Sequence, residues 1–82
     1  MYKFLEKVEK IIRTVASRIM TQSIIENRCR EMGIEPFELS EENVDKFAEM
    51  LRLPLKSFYG IQISDRIIAE VKKLREGVKK EA

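Results

Sequence analysis

From Phe4 onward, Phe4, Leu5, Val8, Ile11, Ile12, Val15, Ala16 and Ile19 recur every three or four positions. At about 100° per residue they fill one broad helical face. Glu6 with Lys10 and Glu9 with Arg13 add i,i+4 pairs with the acid first, the more favourable order. The spacing predicts a helix over roughly residues 2–20. The stripe then shifts, because Ile25, Cys29 and Met32 share a face rotated away from the first. Two readings follow. Thr21-Gln22-Ser23 marks a break, with Ser23-Ile24-Ile25-Glu26 matching a capping box that opens a second helix. Alternatively, one long helix serves a different partner at each end. No Gly or Pro lies between residues 2 and 32, so a continuous or gently kinked helix is the preferred expectation. Gly33 terminates it as a C′ residue.

Ile34 to Leu39 reads as a connection whose apolar residues plug the end of the core. Ser40 is a strong N-cap, with Glu41 and Glu42 where the helix dipole favours negative charge. Val44, Phe47, Ala48 and Leu51 then continue a helical stripe. In the last segment Ser64 reads as a cap, with Asp65 in the first turn. Ile67, Val71, Leu74 and Val78 follow as a narrow seam flanked by Lys72, Lys73, Arg75, Lys79 and Lys80. Gly77 weakens the final turns, so fraying is expected beyond it. Ile61-Gln62-Ile63 is too short to be a strand.

Residues 47–61, FAEMLRLPLKSFYGI, support two models. Phe47, Ala48, Leu51, Leu53, Phe58 and Ile61 occupy the apolar positions of a helix-turn-helix, and in this the stretch resembles the repressor-type helix-turn-helix family. The resemblance covers about 20 residues, the usual length of the motif, and implies a DNA reader built from Lys56, Ser57 and Tyr59, with Lys72 and Arg75 of the basic last helix beside it. Arg52 stands at the turn position that favours Gly, Leu55 falls on the groove-facing side, and Gly60 lies inside the recognition helix. A single helix from 41 to 59 instead puts Val44, Phe47, Ala48, Leu51, Leu55, Phe58 and Tyr59 on one face. Pro54 would kink that helix or restart it at the first helical position, and Gly60 would end it. This second model, which leaves Leu53 and Ile61 as satellites, is preferred.

The 82 residues fit one domain, 1–82, whose small core is marginal. One cysteine permits no internal disulfide. With no histidine, a structural zinc site and Ser-His or Cys-His catalysis within the chain are not expected. Cys29 sits on an apolar face and reads as a small buried hydrophobe rather than a nucleophile. The acidic residues Glu35, Glu38, Glu41, Glu42 and Asp45 lack calcium-loop spacing and read as a solvated helix start. No catalytic, cofactor or metal residue is therefore assigned.

A net charge of +2 is too small to demand a polyanion, but its distribution is uneven. Residues 1–32 carry seven basic and four acidic side chains, residues 33–60 three and six, and residues 61–82 six and four. Basic ends flank an acidic middle, which suggests ends docking on the middle or chains meeting head to tail. Scarce Asn and Gln beside plentiful Lys, Glu, Arg and Ile lean towards a thermophilic source. No apolar run is long enough to span a bilayer. The amphipathic N-terminus is not a signal peptide, and a lone cysteine fits a reducing cytoplasm.

The expected fold is all-α, a small bundle of three to five helices. The expected function is non-catalytic: a protein–protein interaction or oligomerisation module, a homodimer or a subunit of a larger assembly. The expected interface is Phe4, Leu5, Ile12 and Ile19 on one face of the N-terminal helix and Ile25, Cys29 and Met32 on the other, because so few other helices could cover both. A DNA-binding domain with a degenerate helix-turn-helix at 47–61 is the alternative.

Overall fold

A computed structural model describes the backbone of residues 3–81 and the side chains of residues 3–75. Tyr2, at the expected start of the first helix, and the side chains of Val78, Lys79 and Lys80 lie outside the described residues. Five α-helices follow one another: α1 (Lys3–Ile12), α2 (Arg18–Met32), α3 (Val44–Met50), α4 (Arg52–Tyr59) and α5 (Ile61–Glu81). A 3₁₀ turn at Pro36–Glu38 interrupts the connection between α2 and α3. The protein is all-α, as the periodicity predicts.

The long N-terminal helix is corrected. The chain breaks at residues 13–17, earlier than Ser23 and without Gly or Pro. Val15 and Ala16 both donate to the Ile12 carbonyl, at 3.1 and 3.0 Å, while the Ile11 carbonyl accepts from the Thr14 amide and hydroxyl. Ser17 then turns extended at ψ 166°, and its hydroxyl accepts from the Met20 amide. Ser17 is thus the cap that starts α2, in place of Ser23. The reason is tertiary. A straight helix would leave its two apolar faces pointing apart, whereas the reversal puts Val8, Ile12 and Ala16 into the same core as Ile24, Ile25 and Cys29. At the far end Gly33 behaves as expected. At φ 75° it donates to the Arg30 carbonyl while Ile34 donates to that of Cys29, a Schellman closure.

The Ser40 cap is displaced: α3 starts at Val44 with Asn43 at its N-cap position, and Ser40 instead closes the turn at residues 41–43 that leads into it. Its hydroxyl accepts from the Glu42 amide, and its own amide donates to Asn43 Oδ1 at 2.9 Å. The restart expected at Pro54 falls two residues earlier. Leu51 closes α3 by donating to the Phe47 and Ala48 carbonyls, and its own carbonyl accepts from Leu55 to open α4. Pro54 is then the third residue of α4, where an amide proton would have no intrahelical acceptor.

The Ser64 cap is also corrected. Gly60, at φ 91° and ψ 166°, ends α4 by donating to the Lys56 carbonyl and starts α5 by accepting from the Ser64 amide. Ser64 therefore lies inside α5, buried, with its hydroxyl donating to the Arg52 carbonyl at 3.4 Å. The helix also continues past Gly77 to Glu81, because glycine lowers helix propensity without removing a hydrogen-bond donor.

Helix α5 is the axis of the bundle and packs against α1, α3 and α4, while α2 packs on α1 and α3. Ile67, Ile68 and Val71 of α5 meet Val44, Phe47, Ala48, Leu51 and Leu55 in one core. Gly33 and Gly60, the glycines at positive φ among the described residues, give a graded test. A Cβ at Gly33 or Gly60 would meet no neighbouring atom within 4 Å, so backbone strain alone sets the cost. Gly33→Ala is expected to cost roughly 1 kcal/mol in the left-handed helical region. Gly60→Ala is expected to cost about 1–3 kcal/mol, since its φ/ψ region is essentially reserved for glycine. Urea denaturation of both variants checks the order.

Candidate interaction surfaces

The uneven charge of the sequence has a structural counterpart within one chain. Along the seam between α3–α4 and α5, Arg75 Nη1 lies 2.5 Å from Asp45 Oδ2, Lys72 pairs with Glu49, and Arg52 Nη1 lies 2.8 Å from Asp65 Oδ1. Arg52 also reaches Glu49 within α3–α4 at 3.4 Å. Among the described residues, every ion pair joining separate helices lies along this seam. The basic last helix thus docks on the acidic middle. All of these side chains are substantially solvated, so each pair alone contributes little to stability.

This placement bears on the nucleic-acid residues. Lys72 and Arg75 already hold carboxylates, while Lys56 and Ser57 are exposed and Tyr59 is half-buried. The helix-turn-helix pattern also meets a different packing. Phe47, Ala48 and Leu51 are buried as that motif requires, but Leu53, Phe58 and Ile61 are 72%, 59% and 55% exposed. Leu55, which the motif would aim at a groove, is fully buried.

The residues expected at a protein interface divide differently. Ile12, Ile25 and Cys29 are buried in this chain's own core; Phe4, Leu5 and Met32 are half-buried against it. Ile19 alone of the seven is open, at 80% exposure. The reversal at residues 13–17 covers both faces that a straight helix would have left bare.

Of the large apolar side chains that are exposed, Ile19 lies on α2 and Phe37 on the 3₁₀ turn, while Leu53, Phe58 and Ile61 lie on α4 and its corner with α5. Of the eight residues of α4 only Leu55 is buried. Leu53 and Ser57, and Pro54 and Phe58, are i,i+4 neighbours on the outer side of this helix, and Ile61 follows directly after Gly60. Phe58 lies against Tyr59 with tilted rings 6.2 Å apart. On one flank Leu53 and Met50 line an open groove of about 400 Å³ with Arg28, Glu31, Glu49, Arg52 and Lys56. Arg28 Nε lies 3.0 Å from Glu31 Oε1 at an angle suited to an ion pair rather than a hydrogen bond. Sequence reasoning placed Phe58 on the core face and set Leu53 and Ile61 aside. The available signal was the phase of Leu53, which no single core-facing stripe accommodates.

Two titrating groups are displaced by their surroundings. Burial pushes the Cys29 thiol up to about 11, and the Glu35 and Glu38 carboxylates add to this. The hydrogen bond from Lys72, then its charge, holds the Glu49 carboxyl below its ordinary value, with Arg52 acting in the same sense. Among the described residues no group of three or more Cys, Asp or Glu side chains is placed to hold a metal ion, and no helix is long and apolar enough to cross a membrane. No protein-family model, curated protein or solved structure matches the chain.

Both shifts lead to measurements. Raising the Cys29 value from 9.0 to about 11 lowers its thiolate fraction at pH 8 by about a hundredfold. Reaction with an aromatic disulfide reagent is therefore expected to be slow in the folded protein and fast in denaturant. For Glu49 the folded value lies below the unfolded 4.5. Its contribution to stability is full above that pH and is lost as pH falls through the folded value. Glu49→Gln is expected to flatten the acid side of the stability–pH curve, as read by thermal melts from pH 7 downward.

Proposed function

We propose that the chain is a non-catalytic protein–protein interaction module that associates with itself or with another protein. The observation that carries this reading is the exposure of three large apolar side chains close together in the chain: Leu53 beside the groove on one flank of α4, and Phe58 and Ile61 on either side of the α4–α5 corner. In an 82-residue protein the cost of exposing such side chains is offset when a partner covers them. Interfaces of this kind centre on aromatic and aliphatic anchors ringed by polar residues. Lys56, Arg52, Glu49 and Arg28 supply that ring around Leu53 and Met50. A reducing cytoplasmic setting is part of the proposal, supported by a single cysteine held out of solvent.

The expected contact residues shift accordingly from the first helix to α4. The double variant Leu53→Glu, Phe58→Glu places two charges on this surface without touching the buried core. Its melting temperature is expected to stay within a few degrees of the parent, while affinity for the partner falls by at least about tenfold. Light scattering on a size-exclusion column reads self-association. A tagged pull-down with and without nuclease reads a second protein. A chain that is monomeric at high micromolar concentration and recovers nucleic acid alone would overturn the proposal.

A further inference from the structure

Helices α1 and α2 form an antiparallel hairpin, with Leu5 and Glu9 lining one cleft together with Gln22, Ile25 and Glu26. The turn that makes the hairpin is unusual in what it lacks. It contains no Gly or Pro, and the only positive φ angles among the described residues belong to Gly33 and Gly60. Its hydrogen bonds are i→i−4 at Arg13 and Ala16 but tighten to i→i−3 at Thr14 and Val15, and the backbone then turns extended at Ser17. The Ser17 φ of −68° already suits a helix; its ψ of 166° does not. Meanwhile Leu5, Val8, Ile12, Val15 and Ile19 run straight through the turn at alternating spacings of three and four. The hairpin uses the first four of these positions and leaves Ile19 80% exposed. Local sequence thus favours a straight helix here, and tertiary packing enforces the reversal.

We propose that α1 exchanges between two copies of this chain. Straightening of residues 13–17 into helical geometry, with the Ser17 ψ as the largest change, joins α1, the turn and α2 into one helix over residues 3–32, about 45 Å long. The α1 segment then points away from its own core and leaves a vacancy shaped by Phe4, Leu5, Val8 and Ile12. The matching occupant is the same segment of a second copy, whose own vacancy receives the first. Apolar contacts broken within each chain are remade between chains, so little burial is lost. The amides of Ser17, Arg18, Ile19 and Met20 gain carbonyl partners four residues back, Ile19 joins the stripe, and the Ser17 cap is given up. The inference rests on the self-association form of the function proposed above, but uses none of its α4 residues.

Two substitutions push the hinge in opposite directions. Arg18→Pro suits the hairpin, because proline is tolerated at the first position of α2 and holds Ser17 extended, but it breaks the straight helix. Ser17→Ala removes the cap that only the hairpin uses. Full-length chains are incubated at high micromolar to millimolar concentration and sized by light scattering, with circular dichroism confirming that each variant is folded. Ser17→Ala is expected to lower the dimer dissociation constant by about tenfold or more, and Arg18→Pro to raise it by more than about a hundredfold, since two hinges act in each dimer. Spin labels at Lys3→Cys and Arg30→Cys, diluted with unlabelled chain, are expected to lie about 40 Å apart in the dimer and close together in the monomer. A dimer that tolerates Arg18→Pro and keeps the labels close overturns the exchange and leaves self-association standing. If the parent and Ser17→Ala are both monomeric throughout, both ideas fall.

Discussion

The structure depends on one constraint: the apolar residues of the first 32 positions occupy two faces, and a chain this short has to cover both with its own helices. Turning back at Ser17 meets that demand. It lets α1 and α2 shield one another and delivers Ile12, Ile25 and Cys29 to one core with Phe47, Leu51, Leu55 and Ile67. The rest of the chain then has a smaller task, which α5 completes as the axis against which α1, α3 and α4 all pack. The ion pairs at Asp45, Glu49 and Arg52 come after this packing in importance. They lie on the solvated margin of α5, whereas burial supplies the driving force.

Much of this was legible from residue pattern alone. The all-α class, the core face of Val44, Phe47, Ala48, Leu51 and Leu55, and the roles of Gly33 and Gly60 as helix ends follow from periodicity and backbone preference. The break at residues 13–17 was not legible, because every local signal there is compatible with helix and the reversal is enforced by contacts distant in sequence. The one clue was Ser17, a cap residue without the Glu or Gln three positions on that completes a capping box. Ser64 misled for the opposite reason. It has the chemistry of a cap, but Gly60 had already started the helix, and the hydroxyl found the Arg52 carbonyl instead.

Seven residues of the N-terminal segment were expected at an interface on the ground that nothing else could cover them; the hairpin covers most of them. What stays open is the outer side of α4, in the stretch that resembled a DNA reader. The same packing that buries Leu55 turns Leu53 and Phe58 outward. The six apolar positions of that stretch therefore split into a core half and an exposed half, and the exposed half is where a partner would be sought.

The junctions at Leu51 and Gly60 have a further consequence. Each serves as the end of one helix and the start of the next, so α3, α4 and α5 are joined with no spare residue between them. One residue inserted at Leu51, where the backbone is helical, would rotate everything downstream by about 100° about the helix axis. Ile67 and Val71 would leave the core, and Lys72 and Arg75 would leave their carboxylates. The α3–α5 block therefore tolerates substitution but not insertion, whereas α1, α2 and α3 are joined by connections of several non-helical residues.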